Sequence, residues 1–144
     1  MRNIGLAIIG CGRVGRMRGK IASEFPGISW IGLCDINEEV GKELKKDINA
    51  DYLTTNYEEL INREEVDCVI VATSTWSHFE PAIIAIENDK KLFIEKPLTL
   101  DAQQSRFLID KITEKRTDVC VGYTQRFRRR FISAKEKIEN NQIG

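Results

Sequence analysis

Two hydrophobic patterns alternate along the chain. Short continuous apolar runs recur at Ile4 to Ile9, Trp30 to Cys34, Asp51 to Leu53, Val66 to Ala72, Leu92 to Glu95 and Val119 to Tyr123. A β-branched run such as Val66 to Ala72 marks a strand buried on both faces of a parallel sheet. Between the runs, apolar residues fall at helical spacing. A first helix runs from Gly15 through Met17, Ile21 and Ala22 to about Phe25, where Pro26-Gly27 stops it. Asn37 caps a second helix through Val40 and Leu44 to Lys46, with acids first and lysines last. Tyr57 to Ile61 reads as a short helix, and His78 to Asn88 as a longer one with Ala82, Ile83 and Ile86 on one face. Asp101 to Lys115, capped by Thr99 or Asp101, turns Phe107, Leu108 and Ile112 inward. A last helix covers about Phe131 to Asn140. Strand and helix thus alternate, which predicts an α/β fold with a doubly wound parallel sheet. Such sheets bind ligands beyond the carboxyl ends of their strands. The segments to inspect are Gly10 to Gly15, Asp35, Thr73 to His78, Glu95 to Pro97 and Tyr123 to Arg126.

The first strand runs straight into Gly10-Cys11-Gly12-Arg13-Val14-Gly15. This G-x-G-x-x-G pattern is the dinucleotide-binding fingerprint of a Rossmann unit, and each glycine has a physical task. Gly10 permits a tight turn, Gly12 lets backbone approach a pyrophosphate, and Gly15 brings the following helix close to the strand. Unpaired N–H groups at that helix's start favour the phosphate charge. The second strand ends at Asp35, where a Rossmann unit places its ribose-binding carboxylate. Asp35 would accept from the adenosine ribose hydroxyls and repel a 2′-phosphate, so NAD is expected over NADP. The plainer alternative makes Asp35 a cap or turn residue before Asn37.

Composition narrows the partners. Lys+Arg and Asp+Glu both total 22, so the net charge is zero and no bulk attraction to nucleic acid or a membrane surface is expected. No apolar stretch reaches the roughly 20 residues that span a bilayer. The N-terminal run flows into the glycine loop, so it reads as a strand and not a signal peptide. Cys11, Cys34, Cys68 and Cys120 form no CxxC pair, so no metal cluster is expected; the last three sit in apolar strands as small buried hydrophobes. Reduced thiols favour the cytoplasm. Arg126, Arg128, Arg129 and Arg130 interleave with Phe127 and Phe131, a cluster that could bind RNA but is more simply a solvated helix start.

The order GCGRVG, CD, VATSTWSHFEPA, EKPLTL and GYTQRFRRRF resembles the N-terminal half of the Gfo/Idh/MocA family of nicotinamide-dependent sugar and polyol oxidoreductases. The resemblance covers nearly the whole chain, and Glu95-Lys96-Pro97 after the fifth strand is its most specific part. It implies NAD(P) binding and hydride transfer at a carbinol carbon of a sugar, inositol or similar substrate. It makes Lys96 the catalytic candidate, its ammonium reaching the reacting oxygen and the nicotinamide ribose. Glu95 would orient Lys96 or serve structure. Thr73, Ser74 and His78 would line the cofactor, with Ser74 standing where the family has Pro. The cofactor-binding candidates are therefore Gly10, Cys11, Gly12, Arg13, Val14, Gly15, Asp35, Thr73, Ser74, His78, Glu95 and Lys96.

Family members continue for a comparable length, with a domain that supplies much of the substrate pocket. The resemblance therefore implies a Rossmann domain over 1–124 and the start of a crossover helix over 125–144, with the second domain outside this chain. Self-association into a homo-oligomer is expected if that domain normally covers apolar surface. The rival reading is a non-catalytic module that senses NAD(H) or pairs with another chain.

Overall fold

The computed structural model describes residues 3–143. Its elements follow the order β1 (Ile4–Ile9), α1 (Arg13–Ser23), β2 (Ile28–Cys34), α2 (Glu38–Ile48), β3 (Tyr52–Thr54), α3 (Tyr57–Ile61), β4 (Cys68–Val71), α4 (Phe79–Glu87), β5 (Lys91–Ile94), α5 (Ala102–Lys115), β6 (Val119–Val121) and α6 (Arg129–Glu139). The six strands form one parallel sheet in the order β3-β2-β1-β4-β5-β6. Strand order reverses between β1 and β4, so the carboxyl ends of these two strands flank the natural ligand crevice.

Two apolar layers hold the sheet. On one face Leu6, Ile8 and Leu33 pack with Leu44 and Ile48 of α2 and Ala22 of α1. On the other, Ala7, Ile9, Val69, Val71 and Ile94 pack with Leu60, Ala82, Ala85, Ile86 and Leu108 of the helices beneath. Full burial of each such Leu or Ile contributes about 1.5–3 kcal/mol. Local chemistry sets the helix starts: Asn37, Asn56 and Asp101 each accept two backbone N–H bonds as caps of α2, α3 and α5.

Several expectations are corrected. Helix α1 begins at Arg13, so Gly15 lies inside its first turn, and it ends at Ser23 before Phe25. Strand β2 starts two residues before Trp30 because Ile28 already pairs with Ile4. Strand β4 is Cys68–Val71, shorter than the apolar run, and Cys68 and Ile70 are only half-buried, at the margin of the layer under α1 and α2. Asp101 is the cap of α5; Thr99 instead bonds the Asp101 carbonyl and the Ser105 hydroxyl. Phe107 and Cys120 are exposed, as α5 buries only Leu108 and β6 is an edge strand. Strand β6 stops at Val121, before Tyr123, and α6 begins at Arg129 instead of Phe131. Among the described residues, no helix is long and apolar enough to cross a membrane.

Candidate nucleotide-binding site

The chain turns off β1 at Gly10, whose φ is +93°. A side chain there would be strained, and its Cβ would meet the Ala72 carbonyl at 2.8 Å. The ladder continues past the strands, with Gly10 N–H donating to Cys34 O at 2.7 Å and Ala72 N–H to Ile9 O at 2.8 Å. These bonds set the glycine turn between the ends of β2 and β4. Gly15 packs on the same turn, where an added Cβ would stand 1.8 Å from the Gly10 carbonyl oxygen. Gly12 is different: a Cβ there would meet nothing within 4 Å, because it points into open space. Gly12 is also the N-cap of α1, with no side chain capping it and no acid in the first turn. The N–H groups of Arg13, Val14 and Gly15 stand at this start, where the helix dipole favours an anion.

That open space belongs to a cleft of about 390 Å³ lined by Gly10 and Gly12 after β1, Asp35 and Ile36 after β2, and Ala72 to Ser74 with Trp76 after β4. Asp35 is anchored by two donors: Cys11 N–H gives a 2.7 Å bond to Oδ2, and Asn37 N–H a 2.8 Å bond to Oδ1. These two turn bonds leave each carboxylate oxygen a second acceptor site. Cys11 and Cys34 lie beneath, both buried. Their thiols are pushed up to about 12 by burial first and the Asp35 carboxylate second. Both stay protonated and unreactive at neutral pH.

The second half of the site lies beyond β5. Glu95 N–H donates to Val71 O at 2.9 Å, and the Glu95 carboxylate binds the Arg18 guanidinium of α1 through Nε at 2.9 Å and Nη2 at 2.5 Å. Arg18 also lies 4.8 Å over the Phe93 ring, and a Cβ on Gly122 would press on Glu95 Oε2 at 2.8 Å. Glu95 is thus held by α1 and β4, and its side chain is largely shielded from solvent. Lys96 is exposed at the same strand end, followed by a cis bond to Pro97. His78 is buried, with both ring nitrogens against carbonyl oxygens.

The predicted residues therefore separate into groups. Gly10, Gly12, Asp35, Thr73 and Ser74 come together in the cleft. Cys11 lies under it, while Arg13 and Val14 begin the helix at its edge. Lys96 stands at the next strand end, and Glu95 and His78 are turned away from solvent into supporting contacts. Sequence reasoning missed Arg18, Ile36 and Tyr57, the last of which also lines the cleft, and touched Trp76 only as part of the segment Thr73 to His78. Arg18 meets a partner 77 residues away, and no local pattern reports that. Ile36 (93% exposed) and Trp76 (78% exposed) carried a usable signal: apolar residues in polar loops at strand ends.

A family model for the oxidoreductase family with an NAD-binding Rossmann fold, Gfo/Idh/MocA, matches residues 4–123. The chain belongs to this family. It is 29% identical over 139 residues to scyllo-inositol 2-dehydrogenase (NAD(+)) of Bacillus subtilis, covering 96% of this chain and 41% of that protein. It is 31% identical over 144 residues to 2,7-anhydro-N-acetylneuraminate hydratase of Mediterraneibacter gnavus, covering 100% of this chain and 38% of that protein. The fold matches scyllo-inositol dehydrogenase from Lactobacillus casei, solved with bound NAD(H) and scyllo-inositol, with a TM-score of 0.92 at 20% identity over 99% of this chain and 43% of that one. The chain thus spans about two-fifths of the length of the relatives it matches.

Proposed function

We propose that this chain is the NAD-binding part of an oxidoreductase that transfers a hydride between a nicotinamide cofactor and a sugar, inositol or similar polyol. The observation that carries the reading is the cleft, in which the bare α-carbon of Gly12, the uncapped start of α1 and the anchored Asp35 carboxylate face one space. Gly12 and the first N–H groups of α1 would take the pyrophosphate, and Asp35 the adenosine ribose hydroxyls. Thr73 and Ser74 would line the nicotinamide half. Bound NAD would supply the hydride acceptor. Lys96 would exchange the hydroxyl proton with the substrate, taking it as the carbon gives up its hydride and returning it in the reverse direction.

A sugar or polyol site would need further chain, toward which residues after 124 would lead from the nucleotide-binding domain. The exposed Phe107, Ile109, Phe127 and Phe131 would favour self-association of this stretch on its own. Four free thiols suit a reducing cytoplasm. The inositol dehydrogenase relatives support a polyol as substrate. Calorimetric titration with NADH and NADPH tests the reading: NADH should bind saturably and more tightly than NADPH. Asp35→Ala should narrow that preference at least several-fold. Absence of NADH binding would sink the nucleotide assignment, and unchanged selectivity in the variant would remove the role given to Asp35.

A further inference from the structure

His78 is the one histidine of the chain, and it is 1% exposed. Its Nδ1 lies 3.0 Å from the Pro97 carbonyl oxygen and its Nε2 3.2 Å from the Thr73 carbonyl oxygen. Both partners only accept. A neutral imidazole carries one N–H and satisfies one of them at a time, whereas an imidazolium donates to both. The two carbonyls belong to the two halves of the site. Thr73 begins the segment that walls the cleft, and Pro97 follows Lys96 directly. Among the described residues, no other hydrogen bond joins 73–77 to 95–99. The His78 backbone is held as well, since its N–H donates to Thr75 O at 3.3 Å and its carbonyl accepts from Ala82 N–H at 3.3 Å, the first bond of α4.

We propose that His78 is a positioning residue that couples the nucleotide loop after β4 to the Lys96 loop after β5. A nucleotide seated against Thr73 and Ser74 fixes the Thr73 carbonyl. The ring transmits that constraint to the Pro97 carbonyl and so to the backbone that carries Lys96. His78 reaches neither the cofactor nor the reacting atoms; it acts through the two backbones it bridges. The inference rests on the nucleotide reading of the cleft given above. Simple space-filling would need only an aromatic ring, whereas here each ring nitrogen faces a carbonyl oxygen, one in each loop.

The test follows amide shifts of the chain by NMR during NADH titration, together with the ring nitrogens. With a single histidine, long-range proton–nitrogen spectra contain one imidazole. On saturation, the amides of Gly12 and Val14, the ring nitrogens of His78, and the amides of Lys96 and Leu98 should all move. In His78→Phe, which keeps a ring but no donor, Gly12 and Val14 should still respond, while the response at Lys96 and Leu98 falls at least threefold. His78→Gln places both of its N–H donors on a single nitrogen, where the rigid ring presents two separate nitrogens, and should lose the coupling too, which serves if the Phe variant does not fold. Equal responses at Lys96 and Leu98 in wild type and variants would overturn the inference. So would a wild-type ring that ignores NADH while Gly12 and Val14 respond. No response at Gly12 and Val14 would overturn the nucleotide reading, and this inference with it.

Discussion

Gly12 and Gly15 both lack a side chain, for opposite reasons. At Gly15 a methyl would strike the Gly10 carbonyl at 1.8 Å, a backbone atom that cannot move aside. Gly15→Ala should cost about 3 kcal/mol or more of stability, the upper range of overpacking. At Gly12 a methyl meets nothing within 4 Å, so Gly12→Ala should cost no more than about 1 kcal/mol, the scale of an N-cap change. The same methyl would occupy the space given to a pyrophosphate, so NADH affinity should drop by at least tenfold. Urea unfolding and calorimetry on both variants separate the two roles. A stable Gly15→Ala, or a Gly12→Ala that binds normally, would contradict them. Gly10, Gly12, Gly15 and Asp35 were legible in the sequence because one short motif and one strand end hold all four. The supporting role of Arg18 was not, and His78 could be read as structural without its partners. The partner of Arg18 lies 77 residues away and those of His78 lie 5 and 19 residues away, and only the folded sheet brings the distant ones together.

At the scale of elements, periodicity found every strand and α-helix, and the errors lie at the ends. Ends are decided by capping and pairing partners, which a hydrophobic pattern does not encode. The last helix shows a different limit. Its pattern is helical, yet α6 buries no residue, and apart from its own turn at Thr124–Phe127 it packs on little of the chain. An isolated helix of this length is marginal in water. By hydrogen exchange, the amides of 131–139 should exchange at least a hundredfold faster than those of β1 and β4, which are buried in the middle of the sheet. Equal protection would mean that α6 is held by contacts beyond those seen here.

For the whole molecule, the two thiols under the cleft tie stability to alkaline pH. Cys11 and Cys34 are raised from 9.0 to about 12 in the fold, chiefly by burial. Above pH 9 the unfolded chain sheds these protons while the folded chain keeps them. The stabilisation is therefore whole below pH 9 and is lost as pH rises toward 12, at up to about 1.4 kcal/mol per pH unit for each thiol. Urea midpoints measured between pH 8 and 11 should fall more steeply in wild type than in Cys34→Ala, whose absolute stability is lower for loss of packing. Parallel slopes would remove the thiols as the cause.

The pairing of β1 with β4 has a consequence for how the site comes into being. Leu6 lies beside Cys68, and every strand before β4 is added on the opposite side of β1. As the chain leaves the ribosome, its glycine motif appears first, but one wall of its cleft does not exist until Thr73 and Ser74 have been made. Neither half of the polypeptide owns the crevice. It arises when the second half closes along the first, so the ability to hold a nucleotide is a property of completed assembly rather than of the motif that announces it.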